Sequence, residues 1–234
     1  MNKKVELYRI ENQIMNDAFD RIVVETHLKQ QKEGYRSFVF CGSEPGVGTT
    51  TICINLGIAM AEAGRKAILI DCDLRKKEDE KRLNIEVEYG LAEYLKEKKN
   101  IEEIVCKTNY EMLDYISAGG EVGSPVRLLC KPKMQELLER LGEMYEFVII
   151  DVPSIHSAVD AKILAQKSDA TIIVTEQGVA SKKRLRESKR SLEECGANVL
   201  GVVLNQVEKA EYKYYMKYYD YFKKAKYKKG KGKS

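Results

Sequence analysis

One stretch limits what this chain can become: Ser43-Glu44-Pro45-Gly46-Val47-Gly48-Thr49-Thr50-Thr51 lies between the apolar run Phe38-Val39-Phe40-Cys41 and a helix-like run from Ile52 to Ala63. A strand that turns on glycines into a helix is the setting of a phosphate-binding loop. Glycine has no Cβ, so neighbouring backbone N–H groups can converge on an anion, and the helix start adds unpaired donors and the positive end of its dipole. In this reading Pro45, Gly46, Val47, Gly48, Thr49, Thr50 and Thr51 cradle the phosphates of a nucleotide, and the Thr50 hydroxyl faces a magnesium ion. The usual pattern, G-x-x-x-x-G-K-[ST], carries a lysine where this chain has Thr49, and that lysine bridges the β- and γ-phosphates.

The rest of the chain alternates between two periodicities. A polar helix over 14–32 leads after Gly34 to a strand over 36–42, and helix 50–63 stops at Gly64, a C-cap glycine. Ala67-Ile68-Leu69-Ile70 and Phe147-Val148-Ile149-Ile150 are short continuous apolar runs of the buried parallel-strand kind. Residues 91–106 read as one helix, 112–116 as a strand, and 126–143 as a helix broken near Pro132. Helix 158–167, strand 170–175, helix 181–195 and strand 198–204 complete the series. Strands alternating with helices predict an α/β fold with a doubly wound, mostly parallel sheet of the P-loop NTPase type, its ligands at the carboxyl ends of the strands. The division expected is an N-terminal helical segment over 1–35, a nucleotide-binding domain over 36–207 and a tail over 208–234.

Composition removes several alternatives. Six scattered cysteines form no C-x-x-C pair, and several sit inside apolar patterns, which predicts reduced thiols in a cytoplasmic protein. No apolar stretch is long enough to span a membrane, and the start lacks the apolar core of an export signal. The two histidines, with cysteines so dispersed, give no zinc pattern; His156 is expected to be structural and His27 exposed. Cys72, flanked by Asp71 and Asp73, should have a raised pKa and be unreactive. Although the chain is formally +4, residues 211–234 hold nine lysines against Glu211 and Asp220, so the body is acidic and the basic character belongs to the tail. That split argues against a nucleic-acid-binding surface, and no specific nucleic acid is expected as a partner.

Three strand ends converge on one place: the loop 43–51, Asp71-Cys72-Asp73-Leu74-Arg75, and Asp151-Val152-Pro153. Magnesium on a nucleotide takes hard oxygen ligands, and Thr50, Asp71 and Asp151 supply a hydroxyl and two carboxylates. Seven of the 14 tyrosines, Tyr212, Tyr214, Tyr215, Tyr218, Tyr219, Tyr221 and Tyr227, crowd into the lysine-rich tail at spacings that fit neither a helical stripe nor strand alternation.

The set of motifs resembles the bacterial tyrosine kinases of capsule and exopolysaccharide systems: a P-G-x-G phosphate loop, an apolar strand ending in D-x-D-x-R, and a strand ending in D-x-P. The resemblance runs from about residue 36 to 206 and continues in Gly123–Leu129, Asp160-Ala161 and Gly201-Val202-Val203-Leu204-Asn205. It implies ATP and Mg2+ as cofactors and transfer of the γ-phosphoryl group to tail tyrosines of a neighbouring copy. By the same resemblance Asp71, Asp73 and Arg75 act in catalysis, Asn205 contacts adenine, and the seven tail tyrosines are the acceptors. It also implies a membrane-embedded activator protein of the polysaccharide system, a ring of copies of the chain itself, an opposing tyrosine phosphatase, and a cytoplasmic location held at the inner face of the membrane through a partner. Two other readings stay open on these residues: a nucleotide-binding pseudokinase that regulates polysaccharide assembly, favoured by Thr49, and a partition or positioning ATPase of the K-G-G-x-G-K-T-T type, whose two lysine positions fall on Glu44 and Thr49.

Overall fold

Apolar runs without polar alternation demand cover on both faces, and the chain meets that demand with one sheet between two layers of helices. The computed structural model describes residues 4–9, 13–75, 87–208 and 210–212. Strands β1 (Ser37–Gly42), β2 (Ala67–Asp71), β3 (Val105–Lys107), β4 (Leu113–Ile116), β5 (Phe147–Val152), β6 (Ala170–Glu176) and β7 (Val199–Asn205) pair in the order β3-β4-β2-β5-β1-β6-β7. Every pair is parallel except β3 with β4. All six residues of β1 and all six of β5, the central strands, are buried.

Alternation along the strands divides the core in two. Phe38, Phe40, Leu69 and Phe147 face one side, where α2 (Thr49–Glu62) lies against the sheet and α1 (Gln13–Glu33) lies outside it with Phe19 and Val23 buried. Because α2 is sandwiched it is apolar almost all round, whereas the outer α1 buries only a narrow stripe. Val39, Cys41, Ile70, Val148 and Ile150 face the other side, under α6 (Pro132–Met144), α7 (Asp160–Lys167) and α8 (Lys182–Glu193). Helix α2 ends as expected: Gly64 adopts φ 72°, and its N–H bonds the Ala61 carbonyl at 2.9 Å.

Two expectations need correction. The helix foreseen over 91–106 is α3 (Leu91–Leu95), α4 (Ile101–Ile104) and the antiparallel strand β3. Its apolar spacing is interrupted by Lys96-Glu97-Lys98-Lys99-Asn100; Glu97 turns with φ 60°, and Asn100 starts α4 as its N-cap, its own N–H bonding the Glu103 carboxylate at 2.9 Å. His27 is half-buried rather than exposed, and its ring meets Gln30 Oε1 at 3.2 Å and Arg65 Nη2 at 3.1 Å. The break between α5 (Pro125–Leu129) and α6 does fall at Pro132. A further feature had no sequence reading: Val5 bridges in parallel to Thr108, Asn109 brackets Leu7 with two side-chain hydrogen bonds, and both apolar residues are buried. At the opposite edge β7 leaves Val202 and Leu204 exposed.

Candidate nucleotide site

The carboxyl ends of β1, β2, β5, β6 and β7 carry every group of the site. Gly46 and Gly48 hold φ 83° and 88°, a left-handed backbone that side-chain-bearing residues avoid. A Cβ on Gly48 would stand 2.5 Å from Asn205 Nδ2, and that same amide donates to the Val47 carbonyl at 2.8 Å. Asn205 therefore braces the loop from the end of β7. Val47 is buried and plugs the loop into the core below. Gly42, which precedes the motif, is as constrained, because its Cβ would stand 2.8 Å from the Glu44 carbonyl and 3.0 Å from Thr49 Oγ1. The Thr49 hydroxyl thus lies close over Gly42 at the end of β1.

Asp71 and Asp151 are direct register partners on the adjacent parallel strands β2 and β5. The ladder continues past them, since Cys72 N–H donates to the Asp151 carbonyl at 2.9 Å. Asp71 Oδ1 accepts from the Asp73 N–H at 2.9 Å, and Asp73 Oδ1 from the Arg75 N–H at 3.3 Å, which curls the D-x-D-x-R segment into two successive side-chain turns. Arg75 then reaches Asp160 with both arms of its fork, Nε to Oδ2 at 2.6 Å and Nη2 to Oδ1 at 2.8 Å. Asp160, at the first turn of α7, is fully buried, so this pair ties the β2 end to the segment that follows β5.

Cys72 is buried between these carboxylates. Burial first, and then the negative charge of Asp71, Asp151 and Asp73, push its thiol well above the ordinary value of 9.0, as expected for an inert cysteine. His156 is exposed and shares a 3.1 Å hydrogen bond with Ser188 Oγ, the structural role expected of it. Sequence reading missed two contributors, Gly42 and the pair Glu44–Arg184, in which Arg184 Nε of α8 lies 2.7 Å from Glu44 Oε1 of the loop. Of the tail tyrosines, Tyr212 is half-buried and its hydroxyl has no hydrogen-bond partner among the described residues. Tyr214, Tyr215, Tyr218, Tyr219, Tyr221 and Tyr227 lie outside the described residues. The root of the tail is held beside the site by Gln177, which accepts from the Glu208 N–H at 3.0 Å and donates to Glu211 Oε2 at 2.6 Å.

A family model described as an AAA domain matches residues 36–195. Over 177 residues the chain is 36% identical to the tyrosine-protein kinase CpsD of Streptococcus pneumoniae serotype 4, covering 73% of this chain and 75% of that protein. The chain belongs to the bacterial tyrosine-protein kinase family. The tyrosine-protein kinase YwqD of Bacillus subtilis is 32% identical over 183 residues, covering 77% of each chain. The kinase domain of the Escherichia coli tyrosine kinase ETK superposes with a TM-score of 0.78 over 89% of this chain and 91% of that one, at 23% identity, a likeness of fold. The doubly wound, mostly parallel sheet expected from the sequence is thus the fold of this kinase family, and among the described residues no helix is long and apolar enough to cross a membrane.

Proposed function

We propose that the chain is an ATP-dependent protein-tyrosine kinase that phosphorylates the tail tyrosines of a neighbouring copy, in a system that builds capsular or extracellular polysaccharide. The observation that carries this reading is the pairing of Asp71 with Asp151 across two strands, beside a loop whose Gly46 and Gly48 both hold left-handed backbone. Among the described residues no three His, Cys, Asp or Glu side chains gather to hold a metal by themselves. Two carboxylates and the Thr50 hydroxyl instead suit Mg2+ that arrives with phosphate and water as its other ligands. That ion would neutralise charge developing on the transferred phosphoryl group.

The chain's own residues perform the remaining work. Backbone N–H groups from Gly46 to Thr51 hold the phosphates, Pro45 and Val47 fix the loop's course, and Asn205 at the loop's far side contacts the adenine end. Asp73 or Asp71 orients the incoming phenol and takes its proton. Arg75 acts through Asp160, setting the position of the D-x-D-x-R turn. Seven tyrosines, Tyr212, Tyr214, Tyr215, Tyr218, Tyr219, Tyr221 and Tyr227, are the proposed acceptors. The proposed setting is the inner face of the cell membrane, with a membrane-embedded activator, a ring of copies of the chain, and a tyrosine phosphatase that resets the tail.

Mass measurement of the purified chain incubated with ATP and Mg2+ tests this. Successive phosphate gains confined to tail peptides, and lost in Asp71→Ala, are expected. Thr49 favours a second reading, a nucleotide-binding regulator without turnover, because its hydroxyl is short and turned to Gly42. ATP binding without any mass gain would decide for it.

A further inference from the structure

A triphosphate that settles into the loop brings several negative charges to a segment, residues 43–51, that carries Glu44 and no lysine of its own. Two of the arginines that could compensate are otherwise placed: Arg75 is committed to Asp160 by two hydrogen bonds, and Arg127 sits exposed on α5. Arg184 is different. Its Nε lies 2.7 Å from Glu44 Oε1 and its Nη2 3.4 Å from Glu44 Oε2, so a guanidinium from α8 is already held at the rim of the phosphate loop.

We propose that Arg184 is the phosphate-binding cation of this site: when nucleotide enters, its guanidinium leaves the Glu44 carboxylate for the terminal phosphate and supplies from α8 the charge that Thr49 cannot supply from within the loop. The proposal rests on the nucleotide-binding reading of the loop. Three observations support it. First, the backbone of Arg184 is a fixed pivot, because its N–H donates to the N-cap hydroxyl of Ser181 at 3.2 Å and α8 is anchored by buried Ser188 and Leu192. Second, the side chain above that pivot is 52% exposed, so it can move without disturbing the core. Third, the exchange favours phosphate. Arg184 is half exposed but Glu44 only 17%, so the pair given up is worth more than the roughly fivefold factor of a surface pair, while the fork gains charge-assisted hydrogen bonds to two phosphate oxygens, each worth about ten- to a hundredfold. Arginine suits the task because its planar fork meets two phosphate oxygens at once.

A competing role for Arg184 is merely to neutralise Glu44. Calorimetric titration of the full chain with ATP and with ADP, each with Mg2+, separates the two. Arg184→Gln should weaken ATP about ten- to a hundredfold and ADP much less, because only ATP presents the terminal phosphate. The double variant Glu44→Gln/Arg184→Gln should stay weak, and Thr49→Lys/Arg184→Gln should recover. Arg184→Lys, which keeps the charge and loses the fork, should fall between wild type and Arg184→Gln, and it serves the same comparison if the glutamine variant folds poorly. Unchanged ATP affinity in Arg184→Gln, equal losses for ATP and ADP, or full recovery in Glu44→Gln/Arg184→Gln would each overturn the proposal while leaving nucleotide binding intact. A wild-type chain that binds no ATP would instead overturn the nucleotide-binding reading, and the proposal with it.

Discussion

Removing the Arg75 side chain should strand a charge where water scarcely reaches. Asp160 is fully buried, and both of its oxygens accept from one guanidinium, at 2.6 and 2.8 Å. Breaking a buried pair by deleting one partner costs about 3–5 kcal/mol, because the remaining ion keeps its desolvation penalty without its attraction. Here the arginine side is 42% exposed, so water can follow it out and screen the carboxylate; the expected loss for Arg75→Ala is about 2–3 kcal/mol. For a chain of this length each kcal/mol moves the melting temperature by about 2–4 °C, which gives a fall of about 4–12 °C. Calorimetric melting of Arg75→Ala and of Arg75→Met/Asp160→Leu supplies the assay. The double variant removes both charges and leaves apolar groups of similar bulk, so it should regain at least half of the loss. A single-variant shift below about 1 °C, or a double variant no more stable than the single, would refute the account of this pair.

Other outcomes follow from neighbouring features. Gly46→Ala should cost roughly 1 kcal/mol in backbone strain, since none of the described residues stands within 4 Å of its Cβ position, whereas Gly48→Ala should cost more and also weaken ATP binding, because its Cβ meets Asn205 Nδ2 at 2.5 Å; equal melting losses would contradict the brace assigned to Asn205. Asp151→Asn relieves the facing of two carboxylates across β2 and β5, so it should raise the melting temperature of the magnesium-free chain while abolishing tail phosphorylation; a lower melting point would count against that picture. Burial pushes the Cys41 thiol up to about 12, from 9.0. The folded chain therefore keeps a proton that the unfolded chain releases above pH 9.0, and stability should be level below that value and fall through the window up to about 12, at about 1.4 kcal/mol per pH unit for this thiol. Burial raises Cys53 and Cys72 as well, so a Cys41→Ala variant should still lose stability from pH 8 to 10 but less steeply than wild type; an equal slope in the two would count against this account of Cys41. Thiol reagents should label exposed Cys130 first and leave buried Cys41, Cys53 and Cys72 untouched until the chain unfolds; rapid native labelling of Cys72 would show that its surroundings are not as described.

What the sequence made legible was whatever is encoded locally. A five-residue apolar run that ends in a carboxylate has few ways to sit in an α/β fold, so β2 and β5, and with them Asp71 and Asp151, could be placed before any coordinates. The glycines at 46 and 48 were legible for the same reason, since the demand for left-handed backbone lies within the turn itself. The chain over 91–106 was misread because Leu91 and Leu95 before the break, and Ile101 and Ile104 after it, each keep helical spacing, and an edge strand of three residues has too short a pattern to declare itself. Arg184 was out of reach altogether. It stands 140 residues from Glu44 in the chain, and only the folding of β6 beside β1 brings α8 to the loop. Gly42 escaped notice because its constraint comes from atoms of residues 44 and 49 closing over it, not from its own neighbours in sequence.

The facing of Asp71 and Asp151 also acts as a built-in ruler. Neighbouring strands lie about 4.8 Å apart wherever a β-ladder forms, so the gap between the backbones that carry these two carboxylates is a constant of β structure, independent of loop length or loop sequence. Loops around them can lengthen or shorten without altering the interval. A single residue gained or lost inside either strand, by contrast, would turn one carboxylate to the other face of the sheet, and the ruler would lose one of its ends.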